Sequence, residues 1–253
     1  MECAPVYVSA STRCFADQTV FDACRRLDEL EFDKYELWID PDAGCHVDLR
    51  QMVAEPENMH SRLREQSRMV PVAISLAADV DDATFRGIAR FAKLGRIAQV
   101  TVPAPRLGTP FNEAVDALRN YVALAGEEAV RVSIPTHQGT VCEDLHTAVE
   151  LCDAVPGLGL TLDPSHFIFG RTEPASFDRL LPRVYHVHLR DTSPDALQVP
   201  VGLGNVDYSR LVSELQRSGY RWALSVDLIA DAIPLGDRPL ELRKLRLLLE
   251  TLL

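Results

Sequence analysis

The chain has 253 residues, 47% of them apolar and 25% charged, proportions that support a buried core and exclude a disordered chain or a fibre. Acidic side chains outnumber basic ones by 37 to 26, for a net charge of −11, so the surface repels phosphate backbones and no nucleic-acid partner is expected. No stretch reaches the roughly 18 apolar residues of a membrane span, and Met1-Glu2-Cys3-Ala4-Pro5 lacks the basic start and apolar run of a secretory leader; a cytoplasmic protein without a membrane partner is expected.

Short β-like runs alternate with amphipathic helical stretches along the whole chain. The first strands are expected over Val6 to Ala10, Lys34 to Ile39, Val70 to Leu76 and Ile97 to Val102. The spacing of Phe111, Val115, Leu118 and Val122 predicts a helix that closes at Gly126. A fifth strand follows over Val130 to Pro135. Thr140-Val141-Cys142-Glu143 reads as a capping box that opens a helix with Leu145, Val149 and Cys152 as its apolar stripe. Strands six and seven are expected over Gly159 to Asp163 and Val184 to Leu189. Asp207 precedes Leu211 and Leu215 as an N-cap, and Gly219 supplies the left-handed stop. An eighth strand, Trp222 to Leu228, leads into a leucine-rich closing helix from Pro239 to Leu252.

That alternation implies a parallel sheet with crossover helices, and eight strands in about 250 residues is the pattern of a closed barrel. The expected fold is therefore α/β, a single (β/α)8 TIM barrel with residues 1–253 as one domain. The six cysteines, Cys3, Cys14, Cys24, Cys45, Cys142 and Cys152, contain no C-x-x-C pair and are expected to be reduced and packed. A homodimer is the default assembly.

Side chains alternate across a strand, so one parity should meet the helices and the other should point into the barrel. Val130, Val132 and Ile134 oppose Ser133, Pro135 and His137. Leu160 and Leu162 oppose Thr161 and Asp163; Val187 and Leu189 oppose His186, His188 and Arg190; Leu224, Val226 and Leu228 oppose Ser225 and Asp227. Barrel interiors are usually filled with branched aliphatics. An inner face carrying Gln99, Thr101, Ser133, Asp163, His186, His188 and Asp227 instead predicts a site.

Asp163, His188 and Asp227 fall at or near the C-terminal ends of strands six, seven and eight, the rim where barrel enzymes place reactive groups. One imidazole and two carboxylates form a mixed N/O ligand set suited to Zn²⁺, Mn²⁺, Fe²⁺ or Co²⁺. The same three residues also suit a hydrogen-bonded network without metal.

Leu162-Asp163-Pro164-Ser165-His166, His186-Val187-His188-Leu189-Arg190-Asp191 and Pro200-Val201-Gly202-Leu203-Gly204-Asn205-Val206-Asp207 resemble, in order and spacing, successive motifs of the xylose-isomerase-like barrel superfamily, especially its sugar phosphate isomerase/epimerase branch. Tyr35-Glu36-Leu37 is similar to that family's second strand. The resemblance implies that Asp163 and His188 ligate a divalent metal (Zn, Mn, Mg or Co) and that His166 contacts substrate hydroxyls. It also puts Asp227 in the place of a ligand glutamate on the last strand. This chain departs from the pattern on strand five, where Pro135-Thr136-His137 stands for the family's Glu-Asn-His. His137, two residues nearer the rim than Pro135, is a candidate fourth ligand or a substrate-facing imidazole.

The expected function is a metal-dependent isomerase or epimerase of a carbohydrate or polyol, phosphorylated or not, with His166 or His137 moving the proton. Arg190 is expected to hold a phosphate or carboxylate, or to pair with a carboxylate at the rim. Glu36 and Trp38 are expected to face the pocket, Trp38 stacking on a sugar ring or packing in the core. His46, His60 and His146 have no evident partners. The alternatives are a metal-assisted hydrolase or lyase on the same barrel and a non-catalytic ligand-binding descendant.

Overall fold

In the computed structural model, which describes residues 6–42, 46–173 and 175–253, eight parallel strands close into one barrel in chain order. They are β1 (Tyr7–Ser11), β2 (Lys34–Ile39), β3 (Val70–Leu76), β4 (Gln99–Thr101), β5 (Arg131–Pro135), β6 (Leu158–Leu162), β7 (Val184–Leu189) and β8 (Ala223–Val226). Closure is made by β1 against β8, with Tyr7 opposite Ala223 and Ala10 opposite Val226. The strands expected from alternation are all present, and the second, third and seventh keep their expected bounds. Residues 97, 98 and 102 fall outside β4, residues 222, 227 and 228 outside β8, and Asp163 just beyond β6, where it caps the 3-10 turn Pro164–Phe167.

The crossover helices follow local chemistry. The Asp207 carboxylate accepts from the Arg210 amide at 2.9 Å and opens the helix Tyr208–Arg217, and Gly219 beyond its end takes a φ of +84°, the left-handed conformation that costs glycine little. The helix Phe111–Gly126 ends where expected. The capping box does not. Thr140 caps only a 3-10 turn, Val141–Glu143, and Glu143 reaches back to the Gly139 amide at 2.8 Å; the helix Leu145–Ala154 begins with Asp144 as its cap. Asp144 wins because its carboxylate already meets the free Thr147 amide one turn in. The stripe is displaced with it, and Ala148, Leu151 and Cys152 are the buried positions. The closing helix, Arg238–Leu252, buries Leu242, Leu245 and Leu249.

The apolar core lies between strands and helices, with Leu37, Ile74, Val100, Val132, Ile134, Leu160, Leu162, Val187, Leu189, Leu224 and Val226 all on the outer parity. Cys14, Cys24, Cys142 and Cys152 are free thiols packed in the protein, while Cys3 and Cys45 lie outside the described residues. Burial pushes the Cys14 and Cys24 thiols up to about 12, so they are not nucleophiles at neutral pH. Inside the barrel a polar layer is satisfied internally. Ser133 donates to Gln99 at 3.0 Å and pairs with Thr161 at 2.7 Å, and Thr161 pairs with Thr101 at 2.8 Å. Among the described residues no helix is long and apolar enough to cross a membrane.

Candidate active site

The C-terminal ends of the strands and the turns that follow them bring three buried acids, four imidazoles and two arginines together. Glu36, on β2, is fully buried and accepts from His186 Nε2 at 2.8 Å and from His188 Nε2 at 2.8 and 3.0 Å on its two oxygens. Burial alone would raise its carboxyl. The charges of His188 and His186 and their hydrogen bonds instead hold it well below the usual carboxylate range. The same pairing decides His188. Burial disfavours its charged form, but Glu36 and then Asp227 outweigh that and raise its pKa. His186 stays lowered by burial.

Arg190 extends from the end of β7 and is 2% exposed. Its Nη1 donates to Asp163 Oδ2 at 2.7 Å and to Ser165 Oγ at 3.1 Å; its Nη2 donates to Asp227 Oδ2; its Nε donates to the Asp227 carbonyl at 2.9 Å. Ser165 in turn donates to the other Asp163 oxygen. Arg13, in the turn after β1, donates to Asp227 Oδ2 at 3.0 Å. Burial would raise both aspartates; for Asp163 it is chiefly Arg190, and for Asp227 Arg13, His188 and Arg190, that pull the carboxyl down instead. Three carboxylates therefore face two guanidiniums and one imidazole of raised pKa, an arrangement balanced in charge from within the chain.

Beside Asp163, the His137 and His166 rings stack with centroids 4.3 Å apart, and their Nε2 atoms lie 3.5 and 3.7 Å from Asp163 Oδ2. His166 Nδ1 accepts from the Gln138 amide at 3.1 Å, so the neutral ring carries its proton on Nε2, toward Asp163. Burial lowers the His166 pKa to about 4 and also lowers that of His137.

A cavity of about 410 Å³ opens at the C-terminal mouth, lined among others by Arg13, Trp38, Pro135, His137, His188 and Asp227, a size suited to a small molecule. Trp38 faces it as expected, packed also against His46 at 5.8 Å between rings. Glu36, His166 and Arg190 do not line it. His188 Nδ1, Asp227 Oδ1 and His137 Nε2 are buried without a hydrogen-bond partner, and all three belong to residues of the cavity wall. Buried polar atoms in native proteins are nearly always paired; here the nearest charged oxygens are Asp163 Oδ2, 3.5 Å from His137 Nε2, and Asp227 Oδ2, 3.9 Å from His188 Nδ1.

Ligand-type atoms within 4.8 Å of one another form two groups among the described residues, Glu36 with His186 and His188, and His137 with Asp163 and His166. The expected set of Asp163, His188 and Asp227 with His137 is not gathered into one group, because Arg190 lies between the two aspartates. In both groups the ligand-type atoms are already engaged with one another or with neighbouring donors. In the first, the imidazole N–H groups point at Glu36. In the second, His166 directs a protonated nitrogen inward and both Asp163 oxygens already accept hydrogen bonds. An ion at either group would have to displace these protons and hydrogen bonds, and Pro135, in the place of the family's glutamate, offers no donor.

Sequence reasoning missed Arg13, the Ser165 bond and the pairing of Glu36 with His186 and His188. Shared inner parity was the available signal for the last; contacts across 150 and 152 residues are not written in local spacing. The remaining histidines have local roles. His46 pairs with Thr12 at 3.0 Å and with the Gln18 carbonyl at 2.7 Å, and His146 meets Glu150 at 3.2 Å. The Gly202-Leu203-Gly204 turn presents its Gly202 and Gly204 amides to Asp191 Oδ2, at 2.8 and 3.0 Å, and so binds a carboxylate of its own chain.

The closed (β/α)8 barrel carries this polar cluster at its C-terminal mouth, the end where barrel enzymes place their active sites. The sequence profile of the xylose isomerase-like TIM barrel matches residues 24–251, and the chain belongs to that family. No curated protein sequence matches it. Among solved structures it is similar to the probable 3-DHS dehydratase AsbF of Bacillus anthracis, with 19% identity, 97% of this chain and 98% of that one covered, and a TM-score of 0.70. It is similar to a xylose isomerase-like TIM barrel protein of Mycobacterium smegmatis in complex with magnesium, at 16% identity, 98% and 100% coverage and a TM-score of 0.72. A D-allulose 3-epimerase of Methylomonas sp. in complex with D-allulose follows at 15% identity, 96% and 98% coverage and 0.68. Identities this low show a shared fold.

Proposed function

We propose that the chain is an isomerase or epimerase that moves a proton at the carbon beside a carbonyl of a small, carbohydrate-like substrate. The observation that carries the reading is that His137, His188 and Asp227, each with a buried atom lacking a hydrogen-bond partner (Nε2, Nδ1 and Oδ1), line one cavity. Two imidazoles there are biased in opposite directions, His137 toward the neutral base and His188 toward the charged acid, which is the division of labour that general acid–base catalysis needs.

In this reading His137 Nε2 takes the proton from carbon, and Asp163, 3.5 Å away, stabilises the imidazolium that results. His188 Nδ1–H delivers its proton to the carbonyl oxygen as the enediol forms, and the reverse transfers restore a carbonyl in the product. Asp227 Oδ1 accepts from a substrate hydroxyl, and Trp38 offers an apolar face to the carbon skeleton. His166 acts through His137 as a positioning residue, held by Gln138 and stacked on the neighbouring ring. Arg13 and Arg106 on the cavity wall favour a substrate that carries a phosphate or carboxylate. No divalent ion takes part in these steps.

A second reading, a dehydratase, is favoured by the same acid and base: His137 removes the carbon-bound proton while His188 protonates the departing hydroxyl, giving water and a double bond. One experiment addresses both. Incubation in D2O with a panel of aldoses, ketoses, their phosphates and sugar acids should yield deuterium at carbon, read by NMR, for at least one member. His137→Gln should slow that exchange by about 100-fold or more. Loss of water from the product would select the dehydratase, and absence of both exchange and elimination across the panel would count against each.

A further inference from the structure

We infer that the Arg190 guanidinium is a built-in replacement for the divalent ion expected between the barrel's two rim aspartates, so that this site is organised without metal. Four contacts support the assignment. Arg190 bonds Asp163 on one side and Asp227 on the other, and it adds Ser165 and the Asp227 carbonyl as further anchors. A planar guanidinium with five donors suits two flanking carboxylates. Arg190 is fully enclosed and does not touch the cavity, so it is a positioning group and not a hand for substrate.

The surroundings have changed in the same sense. Pro135 removes the strand-five donor, and Arg13 supplies a second positive charge to Asp227 at 3.0 Å. An ion entering here would have to displace two charge-assisted hydrogen bonds and sit beside two guanidiniums, which repel it at short range and low dielectric. The carboxylates that elsewhere would orient a metal here orient the cavity wall. One oxygen of Asp227, Oδ2, is fixed by the arginines, and the other, Oδ1, has no hydrogen-bond partner.

The inference concerns the cavity used in the proposed function but not its reaction, and metal content and melting temperature read it without any substrate. The wild-type chain, purified without chelator and then exposed to Mg²⁺, Mn²⁺, Co²⁺ or Zn²⁺ and desalted, should retain no stoichiometric ion by elemental analysis. EDTA should leave its melting temperature unchanged. Arg190→Met, which leaves the two carboxylates facing each other, should gain a Mn²⁺-dependent rise in melting temperature; if it does not fold, Arg190→Gln is read in its place. One ion per chain in the wild type, stripped by EDTA with a fall in melting temperature and lost in Asp163→Asn, would overturn the inference. So would a folded Arg190 variant that gains no response to Mn²⁺.

Discussion

Arg190→Met should lower the unfolding free energy by about 3–5 kcal/mol in urea titrations, among the largest single-residue effects available in this chain. The loss comes less from the pair interactions themselves than from what remains. Asp163 is fully buried and Asp227 nearly so, and without the guanidinium each carboxylate keeps the cost of its desolvation with less to offset it. Arg13 still reaches Asp227 Oδ2, so Asp163 is the more exposed of the two to this loss. Adding Asp163→Asn to Arg190→Met should therefore recover part of it, a coupling that a double-mutant cycle reads directly. A loss below about 1 kcal/mol would mean that water screens the pair, as at a surface.

Glu36→Gln is the second large effect, about 3 kcal/mol, and its size should depend on pH. The Glu36 carboxyl is held down in the folded state, so its contribution is present above the ordinary carboxylate range and disappears as pH falls through its folded value. The His188 pKa is raised from 6.5, so its contribution is complete below that value and is lost as pH rises through the folded one. Both are in force together between about pH 5 and 6.5. The difference in stability between wild type and Glu36→Gln should be largest in that window and shrink at higher pH. A difference that grows steadily toward pH 9 would contradict the proton assignment at His188.

Much of this architecture is legible in the sequence because period-two alternation carries it. Val132 and Ile134 against Ser133, or Leu160 and Leu162 against Thr161 and Asp163, reveal both the strand and its inner face. The same parity placed His188 and Asp227 at the mouth. Function of individual groups was harder to read, for a physical reason. Aspartates two strands apart look alike whether a metal or a guanidinium joins them, and the choice is made by how far the Arg190 side chain reaches, which spacing does not encode. Pro135 was the legible sign of a change at the site. The glutamate–imidazole cluster was hidden because Glu36 meets His186 and His188 only once β2 and β7 share an interior. The helix start at Leu145 was missed for a local reason, since two cap candidates four residues apart compete and the later one, Asp144, meets the first helical turn.

The proposed acid–base chemistry depends on two imidazoles of one cavity wall, His137 with its pKa lowered and His188 with its pKa raised. Long-range proton–nitrogen correlation spectra of imidazole-labelled protein at pH 6.5 in EDTA, assigned through single His→Gln variants, read their protonation states directly. The result expected is His188 mainly protonated on both nitrogens, with His137 and His166 mainly neutral and the His166 proton on Nε2. A mainly neutral His188, or imidazole signals that shift in one-to-one proportion to added Mg²⁺, would contradict it.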